Sequence, residues 1–114
     1  MKKAISIVNT TRSTVITKNA FWAKSFWRKS VGLINKPKGT SLILKTRFGI
    51  HTIGIRYPID VLILDKNYQV LEIKQNLQPN RFFFWNPIYT LVAELPWGSI
   101  RISRTIIGDF IKIK

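Results

Sequence analysis

Two short apolar runs joined by a polar turn constrain the fold of this chain most strongly. The first run is "VLIL", residues 61–64, bounded by Asp60 and Asp65, and the second is "QVLEIK", residues 69–74. Between them lies "DKNY", whose residue types are typical of a β-turn. Such runs predict two antiparallel strands, so we expect a β-hairpin near the middle of the chain.

Further strands are predicted on both sides of this hairpin. Short apolar runs occur at residues 4–8, 42–44 and 88–95. At the end of the chain, Ile111 and Ile113 alternate with two lysines, which is typical of an edge strand that water can reach. Strands therefore dominate the predicted secondary structure.

A helical period occurs near the start of the chain, at residues 18–29. Trp22 and Phe26 lie four residues apart there, while Lys24 and Arg28 share a different face. This spacing predicts an amphipathic helix of about three turns.

A short turn of helix is also expected around residues 99–104, and the chain of 114 residues is long enough for one core. We therefore expect a single domain, residues 1–114, of the α+β class with mainly antiparallel strands. Its strands would form a sheet or a partly open barrel with one helix in the N-terminal third. Cysteine is absent, which excludes disulfides, thiolate metal sites and a cysteine nucleophile.

The N-terminus begins with two lysines, as a signal peptide does, but its apolar run stops at Val8 and polar residues follow. No stretch approaches the eighteen uninterrupted apolar residues of a membrane-spanning helix. We expect a soluble protein that stays in the cytoplasm.

The charge of the chain is strongly positive and unevenly placed. There are 19 basic and 5 acidic residues, a formal net charge of +14. The first 47 residues hold eleven of the basic side chains and no acid, so the other 67 residues carry only +3. Nucleic acid or another polyanion would be attracted to such a field, although a solvated surface without a partner has the same composition.

Several ordered blocks resemble one protein family. These blocks are "VGLINKP", "GIHTIGIRYPIDVLILDKNYQVLEIKQNLQPNR", "AELPWG" and "GDFIKI". Together they resemble domain-of-unknown-function family 192, a group of small prokaryotic proteins with no assigned activity, over about residues 30–113. The resemblance implies a compact, β-rich domain and no known cofactor or partner.

Characteristic positions of that family are occupied by His51, Thr52, Arg56, Pro58, Asp60, Asp65, Pro79, Glu94, Leu95, Pro96, Gly98, Gly108 and Asp109. Two positions depart from the pattern. Ile55 stands where a methionine is usual, and Trp97 where a small residue usually precedes the glycine, so a pocket there would be reshaped. The pair Gly108 and Asp109, followed by an alternating apolar strand, also resembles the Gly-Asp turn of double-psi and related cradle-loop barrels, which implies a fold of that kind.

The polar residues of these motifs have two interpretations. A carboxylate beside an apolar strand needs a guanidinium or backbone donors, so Asp60 is expected to accept from Arg56, His51 or backbone N–H groups. Asp109 is expected to cap its own turn in the same manner. Alternatively, these groups converge on a ligand pocket. The candidate cluster comprises His51, Thr52, Arg56, Asp60, Glu94, Gly98 and Asp109.

No pattern of catalytic or metal-binding residues is recognisable. One histidine with scattered serines and threonines forms no known nucleophile and base arrangement. The five carboxylates show neither an HExxH motif nor an EF-hand loop. We therefore predict no catalytic residue, no metal and no cofactor.

Four consecutive aromatic residues, 82–85, cannot all point inward. An exposed ring beside Arg81 could stack on a nucleic-acid base or a sugar face, or could contact a partner protein. The candidate contacts for a polyanion or an aromatic ligand are Lys24, Arg28, Arg81, Phe83 and Trp85.

Three functions follow from these observations. We rank first a non-catalytic module that binds a small molecule or a carbohydrate, because polar groups of the motif blocks would meet in one cleft. A nucleic-acid or polyanion binding protein is second, supported by the charge. A small enzyme of unrecognised type is third.

Overall fold

The computed structural model describes residues 4–23, 38–47 and 49–114, and these parts of the chain are mostly β. Their strands are β1 (Ile5–Asn9), β2 (Thr14–Trp22), β3 (Ser41–Lys45), β4 (Gly49–His51), β5 (Ile59–Leu64), β6 (Val70–Leu77), β7 (Phe82–Phe84), β8 (Leu91–Pro96) and β9 (Ile111–Ile113). One helix, α1 (Ser99–Ser103), lies between β8 and β9.

Seven of these strands form one curled sheet in the order β6-β5-β8-β3-β2-β1-β9, and β4 pairs with β7 in a second, small sheet. All pairs are antiparallel except β2 with β3. The two outer strands of the large sheet approach each other at one corner, where Gln69 and Phe110 form a bridge. There the Val70 N–H donates to the Asp109 carbonyl at 2.8 Å. The sheet is therefore a half-barrel within a compact single domain.

The apolar residues form two clusters, one on each face of the large sheet. The inner cluster draws on all seven strands and on α1 and comprises Ile7, Ile16, Ala20, Ile43, Leu62, Leu64, Val70, Leu91, Ala93, Leu95, Ile100 and Ile111. The outer cluster lies between the middle strands and the small sheet and comprises Leu42, Leu44, Ile50, Ile55, Ile59, Val61, Ile63, Leu77, Trp85 and Val92.

The position of β5 between these clusters explains its sequence. Every residue of Ile59–Leu64 is buried, because alternate side chains enter the inner and the outer cluster. The predicted hairpin is confirmed as β5 and β6. Its turn is fixed by Asp65, whose carboxylate accepts the N–H groups of Asn67 at 2.8 Å and Gln69 at 3.0 Å.

The predicted helix at residues 18–29 is wrong for its first part. Residues 18–22 belong to β2, which pairs with β1 on one edge and with β3 on the other. Ile16 and Ala20 of this strand are buried in the inner cluster. The remainder of the predicted helix, with Lys24 and Arg28, lies outside the described residues.

The described fold is consequently mainly β and not clearly α+β. Its one helix is the short turn expected around residues 99–104. Within the described residues, no helix is long and apolar enough to cross a membrane.

Candidate functional site

Asp60 lies in the second position of β5, is fully buried, and accepts three backbone hydrogen bonds. One carboxylate oxygen accepts from the N–H of Asn76 at 2.9 Å. The other accepts from the N–H groups of Gly98 at 3.0 Å and Ile100 at 3.1 Å. Gly98 is the N-cap of α1 and has no side chain, so Asp60 supplies the acceptor for the first amides of that helix from another strand. Of the partners expected for Asp60, the structure shows backbone amides.

The two residues expected beside Asp60 lie elsewhere. Arg56 is exposed in the loop between β4 and β5, and His51 is half-buried in β4. The Nδ1 atom of His51 accepts the N–H of Ile53 at 3.3 Å, and its ring meets the edge of Phe82 with centroids 6.3 Å apart. His51 therefore belongs to the small sheet and not to a site around Asp60.

Thr52 is fully buried and connects the segment that follows β4 to the segment that precedes β7. Its hydroxyl donates to the Gln78 carbonyl at 2.6 Å and accepts the N–H of Arg81 at 2.9 Å. Its backbone N–H donates to the Arg81 carbonyl at 2.9 Å. Thr52 thus fixes the point at which β7 begins.

Asp109 forms a separate polar cluster at the corner where the half-barrel closes. Its carboxylate accepts from the Asn9 side chain at 2.9 Å, from Arg12 Nε at 3.0 Å and from the Ile106 N–H at 3.0 Å. Burial by itself raises the pKa of Asp109, but the hydrogen bonds from Asn9, Ile106 and Arg12 and the charge of Arg12 outweigh it, so the pKa lies below the ordinary value of 3.8. The carboxylate ties the first strand to the end of the chain.

Glu94 is a third buried carboxyl of the described residues, and its surroundings differ from those of Asp60 and Asp109. It lies in β8, directly between Leu42 of β3 and Val61 of β5, and is 4% exposed. None of the described residues donates a hydrogen bond to it, and burial raises the pKa of its carboxyl from 4.5 to about 7.

The two buried carboxyls of the middle strands lie on opposite faces of the sheet. Asp60 neighbours Val61, which belongs to the outer cluster, so Asp60 itself faces inward. Glu94 follows Ala93 of the inner cluster and faces outward. The predicted polar cluster is therefore divided over separate places: the inner face, the outer face, the small sheet, and the corner of Asp109.

The aromatic run leaves alternate rings exposed, as the expectation that not all four point inward requires. Phe82 and Phe84 are 61% and 66% exposed, whereas Phe83 is half-buried and Trp85 is buried. The two rings named from the sequence as candidate contacts, Phe83 and Trp85, thus belong to or pack against the outer cluster, and the Trp85 Nε1 donates to the Tyr89 carbonyl at 2.6 Å. The exposed rings are the other two of the run.

A cavity of about 260 Å³ opens beside the turn between β5 and β6, and we call it the turn cavity. It is lined by Lys45, Leu64, Asp65, Lys66, Tyr68, Ile88, Tyr89, Thr90 and Leu91. Of the motif residues singled out in the sequence, Asp65 lines this cavity. Sequence reasoning recognised the turn but could not place the loop before β8 opposite it, because β8 pairs with β5 across a long stretch of chain.

No family model matches the chain, and no match is found among curated proteins. Solved structures of other proteins share the mainly β fold of this chain. A protein of unknown function from Novosphingobium aromaticivorans has a TM-score of 0.77 and 15% identity, over 96% of this chain and 83% of that one. A protein from Sinorhizobium meliloti named as a candidate transcription regulator has a TM-score of 0.75 and 13% identity, over 95% and 90%.

A third similar structure comes from Burkholderia pseudomallei and is named as a candidate exported protein. Its TM-score is 0.52 at 11% identity, and the match spans 97% of this chain but 24% of that one. At such identities these likenesses show the fold. Among the described residues, no group of three histidine or carboxylate side chains lies close enough together to hold a metal ion.

We expect the substitution Asp60→Asn to lower the free energy of unfolding by about 2–3 kcal/mol, because the amide group turns one donor toward the backbone N–H groups that the carboxylate now satisfies. Chemical denaturation at neutral pH measures this change. Glu72→Gln, at a half-buried position on β6, is the matched control and should stay within about 0.5 kcal/mol of the wild type. An Asp60→Asn protein as stable as the control would contradict the role assigned to Asp60.

We expect Glu94→Gln to change the pH dependence of stability. A carboxyl whose pKa is raised to about 7 in the folded protein stabilises it below the unfolded value, and this contribution is lost as the pH rises through about 7. Relative to Glu94→Gln, the wild type should therefore lose up to about 3 kcal/mol of unfolding free energy between pH 5 and pH 8.5. Denaturation curves at both pH values measure the difference. Parallel pH profiles for the two proteins would show that Glu94 does not titrate in this range.

Proposed function

We propose that this chain is a non-catalytic module that binds a small polar ligand, such as a carbohydrate, in the turn cavity. The observation that supports this proposal is that charged and hydroxyl-bearing residues line one cavity of about 260 Å³. That volume is close to the lower end of the range of protein ligand sites, about 300 Å³.

The chemistry of the lining favours a hydroxylated ligand that carries an acidic group. The lining residues include two lysines, Lys45 and Lys66, against one acidic residue, Asp65. Tyr68, Tyr89 and Thr90 add hydroxyls that can donate to and accept from ligand hydroxyls. A sugar acid or a sugar phosphate combines these two requirements.

Both walls of the cavity are held in place by the protein itself. On one side, the Asp65 carboxylate fixes its turn through the N–H groups of Asn67 and Gln69. On the other side, the Tyr89 carbonyl accepts from Trp85, and the Thr90 carbonyl accepts the N–H of Thr46 at 2.8 Å. Such preorganisation supports binding, because little entropy is lost in ordering the site.

A membership of domain-of-unknown-function family 192 is part of the same proposal, supported by the ordered motif blocks of the sequence. The position of Gly108 and Asp109 at the closing corner of the half-barrel supports a relation to cradle-loop barrels.

We expect glucuronate and glucose 6-phosphate to bind more tightly than glucose. In an NMR titration to about 10 mM sugar, the amide resonances of Lys66, Tyr68 and Thr90 should shift together. The double substitution Lys45→Gln and Lys66→Gln should weaken the binding of the acidic sugars at least about tenfold, because it removes two charge-assisted contacts.

The control is Lys74→Gln with Lys112→Gln, which removes the same charge from exposed positions on β6 and β9. This control protein should keep the wild-type affinity. Equal weakening in both double variants would indicate nonspecific attraction, and unshifted cavity resonances with all three sugars would overturn the proposal.

A further inference from the structure

A second surface consists of three rings on the small sheet. Phe82 and Phe84 point to the same side of β7, their ring planes are parallel, and their centroids are 6.1 Å apart. His51 lies opposite Phe82 on β4 and meets it edge to face. We call these three residues the aromatic platform.

The chain accommodates the platform through Gly49, which is paired with Phe84. A Cβ atom at Gly49 would lie 2.5 Å from Cδ1 of Phe84 and 2.7 Å from the Phe83 carbonyl oxygen. Only a residue without a side chain lets the Phe84 ring lie flat against β4. The ring is thus laid over the sheet and still exposes two thirds of its surface to water.

The platform is also anchored from beneath. Phe83 points to the other side of β7 and packs on Trp85, with ring centroids 5.8 Å apart. Thr52 holds the start of β7 through its bonds to Arg81. Two exposed phenylalanines on a rigid strand forgo the stabilisation that burial would give, which is typical of a binding surface.

The charge around the platform is positive. An exposed arginine precedes each of its strands: Arg47 lies two residues before β4, and Arg81 lies immediately before β7. No acidic residue occurs in residues 46–58 or 78–90. Three of the five carboxylates of the chain are buried, those of Asp60, Glu94 and Asp109, so they offer little negative charge to the surface.

We propose that the aromatic platform binds single-stranded nucleic acid, with two bases stacked on Phe82 and Phe84 and the adjacent phosphates contacted by Arg47 and Arg81. Parallel exposed rings on a strand suit successive bases, because every base has a face that can stack. The arginines favour this occupant over a neutral glycan, which would stack on the rings but would not use the charge.

The test uses fluorescein-labelled decauridine RNA and the corresponding thymidine DNA, titrated with the full chain and followed by fluorescence anisotropy. Replacing both rings, Phe82→Thr with Phe84→Thr, should weaken binding at least about 5-fold per ring. Phe82→Tyr with Phe84→Tyr keeps the stacking faces and should retain the wild-type affinity. Circular dichroism checks that each variant is folded.

Salt dependence gives an independent readout of the phosphate contacts. If two phosphates are contacted, one by each arginine, affinity should fall about 7-fold between about 50 and 200 mM salt, and Arg81→Gln should reduce that dependence. Tighter binding of RNA than of DNA would indicate contact with the 2′-hydroxyl, and equal binding would place recognition in the bases and phosphates alone. Either result is consistent with the proposal.

Trp97→Thr is the matched control, because Trp97 is 63% exposed but lies in the turn before α1. It should bind as the wild type does. Absence of binding at 50 mM salt would overturn the proposal, and so would binding that survives the loss of both rings, since that is attraction by charge alone. Neutral oligosaccharides that compete for the rings without any effect of salt would identify a glycan surface instead.

Discussion

The buried carboxylate of Asp60 is the interaction on which the arrangement of β5, β6 and α1 depends. A charge in this position would be costly without compensation, and three backbone N–H groups provide it. One of them belongs to Asn76, where the register of β6 against β5 shifts and the backbone has a φ of 56°. Asp60 therefore accepts hydrogen bonds both from the β-bulge of β6 and from the beginning of α1. These bonds fix the bulge and the helix relative to β5.

The burial of three carboxylates also affects the charge of the protein surface. With Asp60, Glu94 and Asp109 buried, little negative charge remains to offset the 19 basic residues. Asp109 is held by Arg12 and Asn9, and Asp60 by backbone amides, so both are used within the fold. A positive field at the surface is then a consequence of how the core is braced, and specificity has to come from shape and from the exposed rings.

Local patterns predicted the fold where local interactions decide it. The hairpin of β5 and β6, the short strands and the turn of α1 followed from runs and turn residues. Residues 18–22 did not, because the four-residue spacing of Trp22 and Phe26 fits a helix, while pairing with β1 and β3 on both edges stabilises a strand. In the aromatic run, a shift of one residue in the strand register would exchange the buried and the exposed rings. The sequence alone does not determine that register.

The sequence identified individual polar residues of the candidate site, but it did not predict which of them lie close together in the fold. Asp60 and Glu94 are polar residues in adjacent strands, yet the pairing of Val61 with Glu94 puts their carboxyls on opposite faces of the sheet. Acid–base catalysis needs two groups within reach of one substrate, and Glu94 meets no polar partner among the described residues. Burial explains its raised pKa without a reaction. The two features proposed here as binding surfaces, the turn cavity and the aromatic platform, have the access to solvent that Glu94 lacks.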